Sequence, residues 1–380
     1  MTGRRASSIV LMFVAVALLS VSLLILPKRP LVLAYYYVWY GKRGHEWSKS
    51  LYHPELGGYN SSDSSVIEQH ILWAKSSGID GFIVSWWGQG TYEDRVAKKV
   101  FETTDTRSGF KLAIMIERVG NNPDWYAWGH DFDDQTYTQA LKSDLLYIVN
   151  NYVKPFNGTY LKFNGRYVIV LYAFIDPDHW QDAKFYAEYF NSLKRYVYEQ
   201  TGVRIGFWSL NTVDARCFDL CAMYLPTQAE NNRQNPMGNK IVYRCKSGVR
   251  VAVNFPMFDN SPVSDEPIRV PPDDGEPYRD RWRRILMSMP GVVLITSWNE
   301  WHESTAIEPS LEWGDKWLQA TKLYAERLKT LATVIKYSMI SIAVVLLILS
   351  AWLYVYVARK EVTSSHGGPR VEAQSRRLLP

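Results

Sequence analysis

The stretch Gly291–Thr305, GVVLITSWNEWHEST, joins two signals whose combination decides the fold. Its first half is a continuous apolar run, the pattern of a parallel strand covered on both faces. Its second half sets Glu300 and Glu303 three residues apart, among Trp298, Trp301 and His302. A core strand has no structural need of acids at its end. A (β/α)8 barrel does, because its chemistry sits at the C-terminal ends of its strands.

Seven earlier runs share the character of the first half: Leu31–Tyr40, Ile79–Trp87, Lys111–Glu117, Arg166–Phe174, Val203–Leu210, Asp219–Pro226 and Val249–Phe258. Helical patterns fill most of the gaps. DSSVIEQHILWAKSSG has Asp63 placed as an N-cap and stops at Gly78, and similar logic applies to DQTYTQALKSDLLYIVNNYV, FYAEYFNSLKRYVYEQTG and YRDRWRRILMSMPG. Eight strand–helix units over residues 31–331 predict an α/β fold, a (β/α)8 TIM barrel in one domain. A doubly wound open sheet is the alternative. No GxGxxG or GKS loop follows the first strand to favour it.

On a barrel, the predicted strand ends form one rim. They carry Tyr36, Tyr37, Trp39 and Tyr40, then Trp86 and Trp87, Glu117, Tyr172, Trp208, Tyr224, Asn254, and lastly Asn299, Glu300 and Glu303. Paired carboxylates in an aromatic bowl suit glycoside hydrolysis, one acid protonating the leaving oxygen while the other acts as nucleophile or base. With 15 Trp and 25 Tyr, the chain has ample flat apolar surface to stack on sugar rings. Glu300 and Glu303 would share one face of a helical turn and address one side of a ring. The plainer reading makes one of them a helix cap. Glu308 suits a supporting or helix-start position, and His302 either orients a carboxylate or packs. A metal centre lacks its motif, since His302 with the two glutamates does not give HExxH, and His45, His53, His70, His130 and His179 match no ligand spacing. His45 and His53 fall in a loop after the first strand that is placed to cover the bowl. No GxSxG elbow is present, and no cofactor is implied.

The net charge of +5 gathers at the ends, in Arg4, Arg5, Lys28 and Arg29 and again after Arg359. The middle is slightly acidic, which removes the electrostatic case for nucleic-acid binding. The basic ends flank two apolar runs, Ile9–Leu26 and Met339–Ala358, each about long enough to cross a membrane as a helix. Trp352, Tyr354 and Tyr356 suit a membrane interface. The expected organisation is an N-terminal anchor or signal peptide at 1–30, the barrel at 31–331, a transmembrane helix at 335–358 and a basic cytoplasmic tail at 359–380. Two transmembrane helices would thus flank a barrel on the extracytoplasmic face. Cys245 is free to pair with Cys217 or Cys221, or all three are buried thiols. Asn60 and Asn157 match the glycosylation acceptor pattern.

YYYVWYG at Tyr35–Gly41, the segment Ser61–Trp87, KLAIMIE, and above all YRDRWRRILMSMPGVVLITSWNEWHESTAIEPS at Tyr278–Ser310 resemble glycoside hydrolase family 99, the endo-α-1,2-mannosidases. The resemblance covers most of residues 31–331 and is loosest between Val119 and Gly248. It implies a metal-free barrel that cleaves within α-mannosyl chains with retention. By resemblance, Glu300 is the base that deprotonates the sugar 2-hydroxyl to give a 1,2-anhydro sugar. Glu303 is then the general acid/base on the leaving oxygen. Glu117 contacts bound sugar, and Tyr40, Trp87, Tyr172, Asn299, Trp301 and His302 complete the substrate site. The implied partners are an oligosaccharide or glycan and a membrane. Three features depart from the family pattern: HEST replaces HEGT at Ser304, IER replaces IEP at Arg118, and there are two apolar runs rather than at most one. Trimming of a glycan and transfer to a sugar acceptor both stay open, as does a non-catalytic glycan-binding or assembly role.

Overall fold

The computed structural model describes residues 29–42, 44, 46–105, 109–120, 122, 131–174, 178–179, 182–210, 218–224, 241–245 and 248–365, with Phe13 and Val16. Two compact units result. One is Arg29–Lys329, and the other comprises the chain ends, Met1–Lys28 and Thr330–Pro380.

Arg29–Lys329 holds the eight predicted strands. They are β1 (Leu31–Tyr36), β2 (Gly81–Trp86), β3 (Lys111–Ile116), β4 (Arg166–Tyr172), β5 (Ile205–Leu210), β6 (Leu220–Ala222), β7 (Arg250–Asn254) and β8 (Val292–Ile295). All neighbours are parallel. The ladder runs from β6 through β5, β4, β3, β2 and β1 to β8 and then β7, with registers such as Leu33↔Gly81, Ile114↔Ile169 and Ile295↔Asn254. Gly81 is required at the start of β2, because a Cβ there would lie 2.2 Å from the Lys111 carbonyl oxygen. An antiparallel strand, Val242–Arg244, edges β7 on its other side.

The helices are α1 (Ser64–Ser76), α2 (Tyr92–Asp105), α3 (Gln135–Ile148), α4 (Ala183–Thr201), α5 (Glu276–Ser288) and α6 (Lys316–Ser365). Asp63 caps α1 by accepting from the Ser65 N–H, and Asp182 caps α4 by accepting from Lys184 and Phe185. Among the described residues a helix follows six of the eight strands, and the links after β5 and β6 lie mostly outside the described residues.

Strand parity sorts the core into two layers. Val32, Ala34 and Tyr36 of β1 pack outward with helix residues such as Ile67, Ile71 and Ala74. Leu33, Tyr35 and Tyr37 join Ala113, Met115, Val168, Val170, Trp208, Val253 and Leu294 inside the barrel. Continuing the same parity past each strand end brings Tyr37, Ser85, Glu117, Tyr172 and Tyr224 to the interior of the C-terminal rim.

One helix among the described residues, Lys316–Tyr356 within α6, is long and apolar enough to cross a membrane, with a window mean hydropathy of 2.3. The helix runs without interruption from Lys316 to Ser365, so the run expected at 335–358 has no separate start. Of the two expected transmembrane helices, one candidate thus lies among the described residues. Of the N-terminal run only Phe13 and Val16 are described, both helical.

Candidate active site

The segment after β8 folds back on itself through side chains that the sequence placed there. The Trp298 N–H donates to the Tyr35 carbonyl, and the Ser297 N–H to Thr305 O at 2.8 Å. The Glu300 N–H donates to Ser297 Oγ at 2.7 Å, which in turn bonds Thr305 Oγ1 at 2.9 Å. The Thr296–Ser297 peptide is cis. The result is a tight turn rather than a helix, and it fixes where Glu300 and Glu303 lie relative to β1.

Beneath this turn sits a buried polar frame. The Asn299 amide pairs reciprocally with the backbone of Tyr37, accepting from its N–H at 2.7 Å and donating to its carbonyl at 2.8 Å. Tyr40 donates to Asn299 O at 3.0 Å and accepts from the Trp301 N–H at 2.9 Å. Trp301 Nε1 and the Tyr59 hydroxyl both donate to Glu308 Oε2, while His70 Nε2 lies 2.9 Å from Glu308 Oε1. Tyr36 closes the chain at His70 Nδ1, 3.0 Å away. Tyr40, Asn299 and Trp301, predicted as substrate contacts, are thus buried and hydrogen-bonded within the protein. They carry the turn from below.

Above the frame the acids converge electrostatically. Glu300 is buried and raised well above the usual carboxylate range, first by burial and then by the charge of Glu303, with Glu117 adding to it. Backbone N–H groups of His302 and Glu303 act in the opposite direction, the former donating to Glu300 Oε1 at 3.0 Å. Glu303 is half-buried and pushed up to about 7 by burial. Glu117 is pushed up to about 8, again first by burial; the Ser85 hydroxyl, donating at 3.0 Å, opposes this and the Glu303 charge assists it. Trp87 Nε1 donates to the same Ser85 oxygen at 3.0 Å, so Trp87, Ser85 and Glu117 form one chain of bonds. The Tyr37 and Tyr224 hydroxyls meet at 2.5 Å, and both titrate far above their ordinary value, through burial and nearby acids including Glu300 and Glu303.

The partly exposed groups of the site are Trp39, Trp87, Tyr172, His302 and Glu303, while Glu117 and Glu300 are buried. Trp39 stands edge-on to Trp87 with centroids 5.9 Å apart, and its plane is parallel to that of His302. The His302 ring donates from Nε2 to Glu46 O at 2.9 Å, and burial lowers its pKa, so it is neutral and oriented. Its Nδ1 lies 3.7 Å from Glu300 Oε1. Of the two covering-loop histidines, His53 pairs with Glu312 at an exposed position and His45 lies outside the described residues. Among the described residues, no group of three or more His, Cys, Asp or Glu is arranged to hold a metal ion.

Tyr37 and Tyr224 stood among the strand-end residues of the predicted rim without a role in the site, and Ser85 was not singled out from sequence. Parity was the available signal, because Tyr35 inward requires Tyr37 inward and Met115 inward requires Glu117 inward. Ser304 also gains an explanation. Its φ is 60°, the left-handed region that favours glycine, so the family's HEGT glycine fits the backbone here. In this chain the Ser304 hydroxyl donates to Asp259 O at 3.1 Å, and the Asp259 N–H donates to Glu303 O at 2.9 Å.

Fold and site together define a (β/α)8 barrel with a cluster of carboxylates and aromatic rings at its C-terminal rim. Comparison with known proteins narrows that class. The profile of a family described as Glycosyltransferase WbsX matches residues 239–321. Glycoprotein endo-alpha-1,2-mannosidase of Xenopus laevis is 23% identical over 282 residues, 68% of this chain and 58% of that protein. Its Rattus norvegicus counterpart is 24% identical over 297 residues, 69% of this chain and 57% of that protein. The chain thus spans little more than half the length of these relatives. Among solved structures, the GH99 endo-alpha-mannosidase of Bacteroides thetaiotaomicron superposes with a TM-score of 0.55 at 18% identity, over 79% of this chain and 97% of that one. A protein described as glycoside hydrolase-like gives 0.57 at 14% identity, over 79% and 94%. The solved structures show the likeness of the barrel fold, and the profile and the two mannosidases show what the chain's sequence is similar to.

Proposed function

We propose that the chain is a membrane-anchored, retaining endo-glycosidase that hydrolyses α-mannosidic linkages of the endo-α-1,2 type. The observation that carries the reading is the convergence of Glu300, Glu303 and Glu117 beside the half-exposed rings of Trp39, Trp87 and Tyr172. Glu300 takes the proton of the sugar 2-hydroxyl, and that oxygen attacks C1. The C1–O bond to the leaving sugar breaks as Glu303 delivers its proton to the departing oxygen, leaving a 1,2-anhydro sugar. Glu303, now ionised, takes a proton from water as the water oxygen attacks C1. The epoxide opens, and O2 recovers its proton from Glu300. Two inversions at C1 give net retention.

This scheme requires Glu300 ionised and Glu303 protonated. Burial raises both carboxyls, so the hydrogen bonds that each receives decide which of the two carries the charge. The backbone N–H donors on Glu300 favour that charge placement, as a carboxylate holding such donors is stabilised in its ionised form. Burial raises Glu303, and burial favours the neutral acid. Glu117 contacts the bound sugar, with Trp87, Tyr172 and His302 lining the same subsite. Tyr40, Asn299 and Trp301 serve it by holding the turn.

We further propose that the barrel occupies residues 31–331 on the extracytoplasmic face, anchored by the helix that includes 335–358. The basic tail 359–380 is then cytoplasmic, as the positive-inside rule favours, and residues 1–30 are a second anchor or a signal peptide. The test is turnover of an α-mannobiosyl substrate with aryl and sugar leaving groups. Glu303→Gln is expected to lose the sugar substrate far more than the aryl one, which needs little acid assistance, whereas Glu300→Gln loses both. The reverse pattern would exchange the two roles, and undiminished turnover in both variants would sink the reading. A second reading, transfer of the glycosyl unit to a sugar acceptor in glycan assembly, is favoured by the WbsX match, which spans both glutamates. It predicts elongated products when an acceptor sugar is present.

A further inference from the structure

The sheet is laddered continuously from β6 round to β7 and on to the antiparallel strand Val242–Arg244. Among the described residues no backbone ladder joins β6 to that strand, so the ring has one seam without paired strands. Two cysteines lie across it. Cys221 is the central residue of β6, and Cys245 directly follows Arg244. Their Sγ atoms are 3.6 Å apart, and the Cys221 N–H donates to Cys245 Sγ at 3.3 Å. Both side chains are buried and in the thiol form. The Cys245 Sγ also lies 3.6 Å from Cys221 O, and the Thr296 hydroxyl donates to Tyr224 O at 2.7 Å.

We propose that Cys221 and Cys245 are a disulfide-forming pair that staples the open seam of the barrel, with a small-molecule disulfide as oxidant. Sulfur atoms already in van der Waals contact have only to close to the bonding distance of about 2 Å. The enclosed loop includes residues 225–240, so the staple would bound the longest link between barrel strands that lacks a described helix. Cys245 is the attacking thiol. The donors from Cys221 lower its pKa, the side-chain bond first, against the opposing effect of burial. Its thiolate attacks one sulfur of glutathione disulfide, forming a mixed disulfide and releasing one glutathione thiolate. The Cys221 thiol then loses its proton and attacks Cys245 Sγ, releasing the second glutathione. Two protein thiols and one glutathione disulfide thus become one protein disulfide and two glutathione molecules, and the electrons balance. The inference is independent of the catalytic assignment of Glu300 and Glu303. Cys217 lies outside the described residues, and the experiment distinguishes a linkage to it from the Cys221–Cys245 pair.

The experiment uses the full chain in its membrane, quenched in acid and alkylated with N-ethylmaleimide under denaturing conditions, before and after treatment with excess glutathione disulfide. Combined digestion before Asp219 and after basic residues separates all three cysteines for mass spectrometry. A Cys221–Cys245 cross-linked peptide, with Cys217 alkylated, is the expected result after oxidation; its presence already in the untreated sample would support the proposal equally. Alkylated Cys221 and Cys245 after oxidation would overturn it, as would a Cys217 linkage to either. Cys217→Ser is expected to retain the cross-link, and its loss in that variant would also count against the proposal. In thermal unfolding, a phosphine reductant is expected to lower the Tm of the oxidised wild type by about 5 °C or more, and to leave that of Cys221→Ser unchanged.

Discussion

The barrel treats acids in opposite ways at its two ends. At the N-terminal end of the strands, Asp80 lies 2.8 Å from Lys329 and 3.1 Å from Arg29, and it accepts from the Val32 N–H. Asp219 is held in the same fashion by Lys194, at 2.7 Å, and by Arg166. At the C-terminal rim Glu117, Glu300 and Glu303 have no lysine or arginine within ion-pair distance among the described residues, and they face one another in a low-dielectric bowl. The first arrangement fixes charge and position. The second leaves protons to be shared, as acid–base chemistry requires, at a cost in stability.

Variants can break that contrast from either end. The largest effects are expected on activity. Glu303→Gln should reduce turnover of a sugar-leaving-group substrate by about 10²–10⁴-fold, the usual worth of a positioned general acid. Its Tm should hold or rise, since a neutral amide replaces a buried acid. Next comes Asp80→Asn, which strands Lys329 half-paired in a mostly buried site. A loss of about 3 kcal/mol in unfolding free energy is expected, with kcat nearly unchanged, measured by denaturant titration and steady-state kinetics.

The pH dependence sharpens the contrast further. Glu117 binds its proton more tightly folded, at about 8, than an ordinary carboxyl does near 4.5. Between those values the folded state therefore holds more protons than the unfolded one, and stability falls as pH rises through that window. Glu117→Gln is expected to remove this fall. Its Tm should match the wild type near the acid end of the window and exceed it above pH 8. Activity should decline as pH rises through about 7, where Glu303 loses the proton that it must deliver. The smallest effect belongs to Ser304→Gly. It relieves a left-handed backbone but removes the bond to Asp259, so a stability change within about 1 kcal/mol is expected, with a looser tie between Glu303 and the Phe258–Asp259 strand.

Much of this was legible in the chain. All eight strands fall inside apolar runs, because a parallel strand buried on both faces leaves a continuous signature, and Asp63 and Gly78 bound α1 as their chemistry demands. The acids after β8 stood out because a strand end gives them no structural purpose. What the residues alone did not reveal was depth. Tyr40, Asn299 and Trp301 stand in a string of aromatic and amide groups, and the turn folds them inward, where their polar atoms bond the backbone of Tyr37, the turn and Glu308. His70 gave no hint of its bond to Glu308, because the pairing spans most of the barrel's sequence. The seam beside β6 was not legible either, because it depends on a register that no local pattern encodes.

The most direct test of the central claim follows the first-formed product by proton NMR, with an activated α-mannobiosyl substrate, wild-type protein and Glu303→Gln in parallel. The account requires the α-anomer to appear first with wild type and little or no product with the variant on a poor leaving group. A β-anomer formed first, or equal turnover by the two proteins, would contradict it.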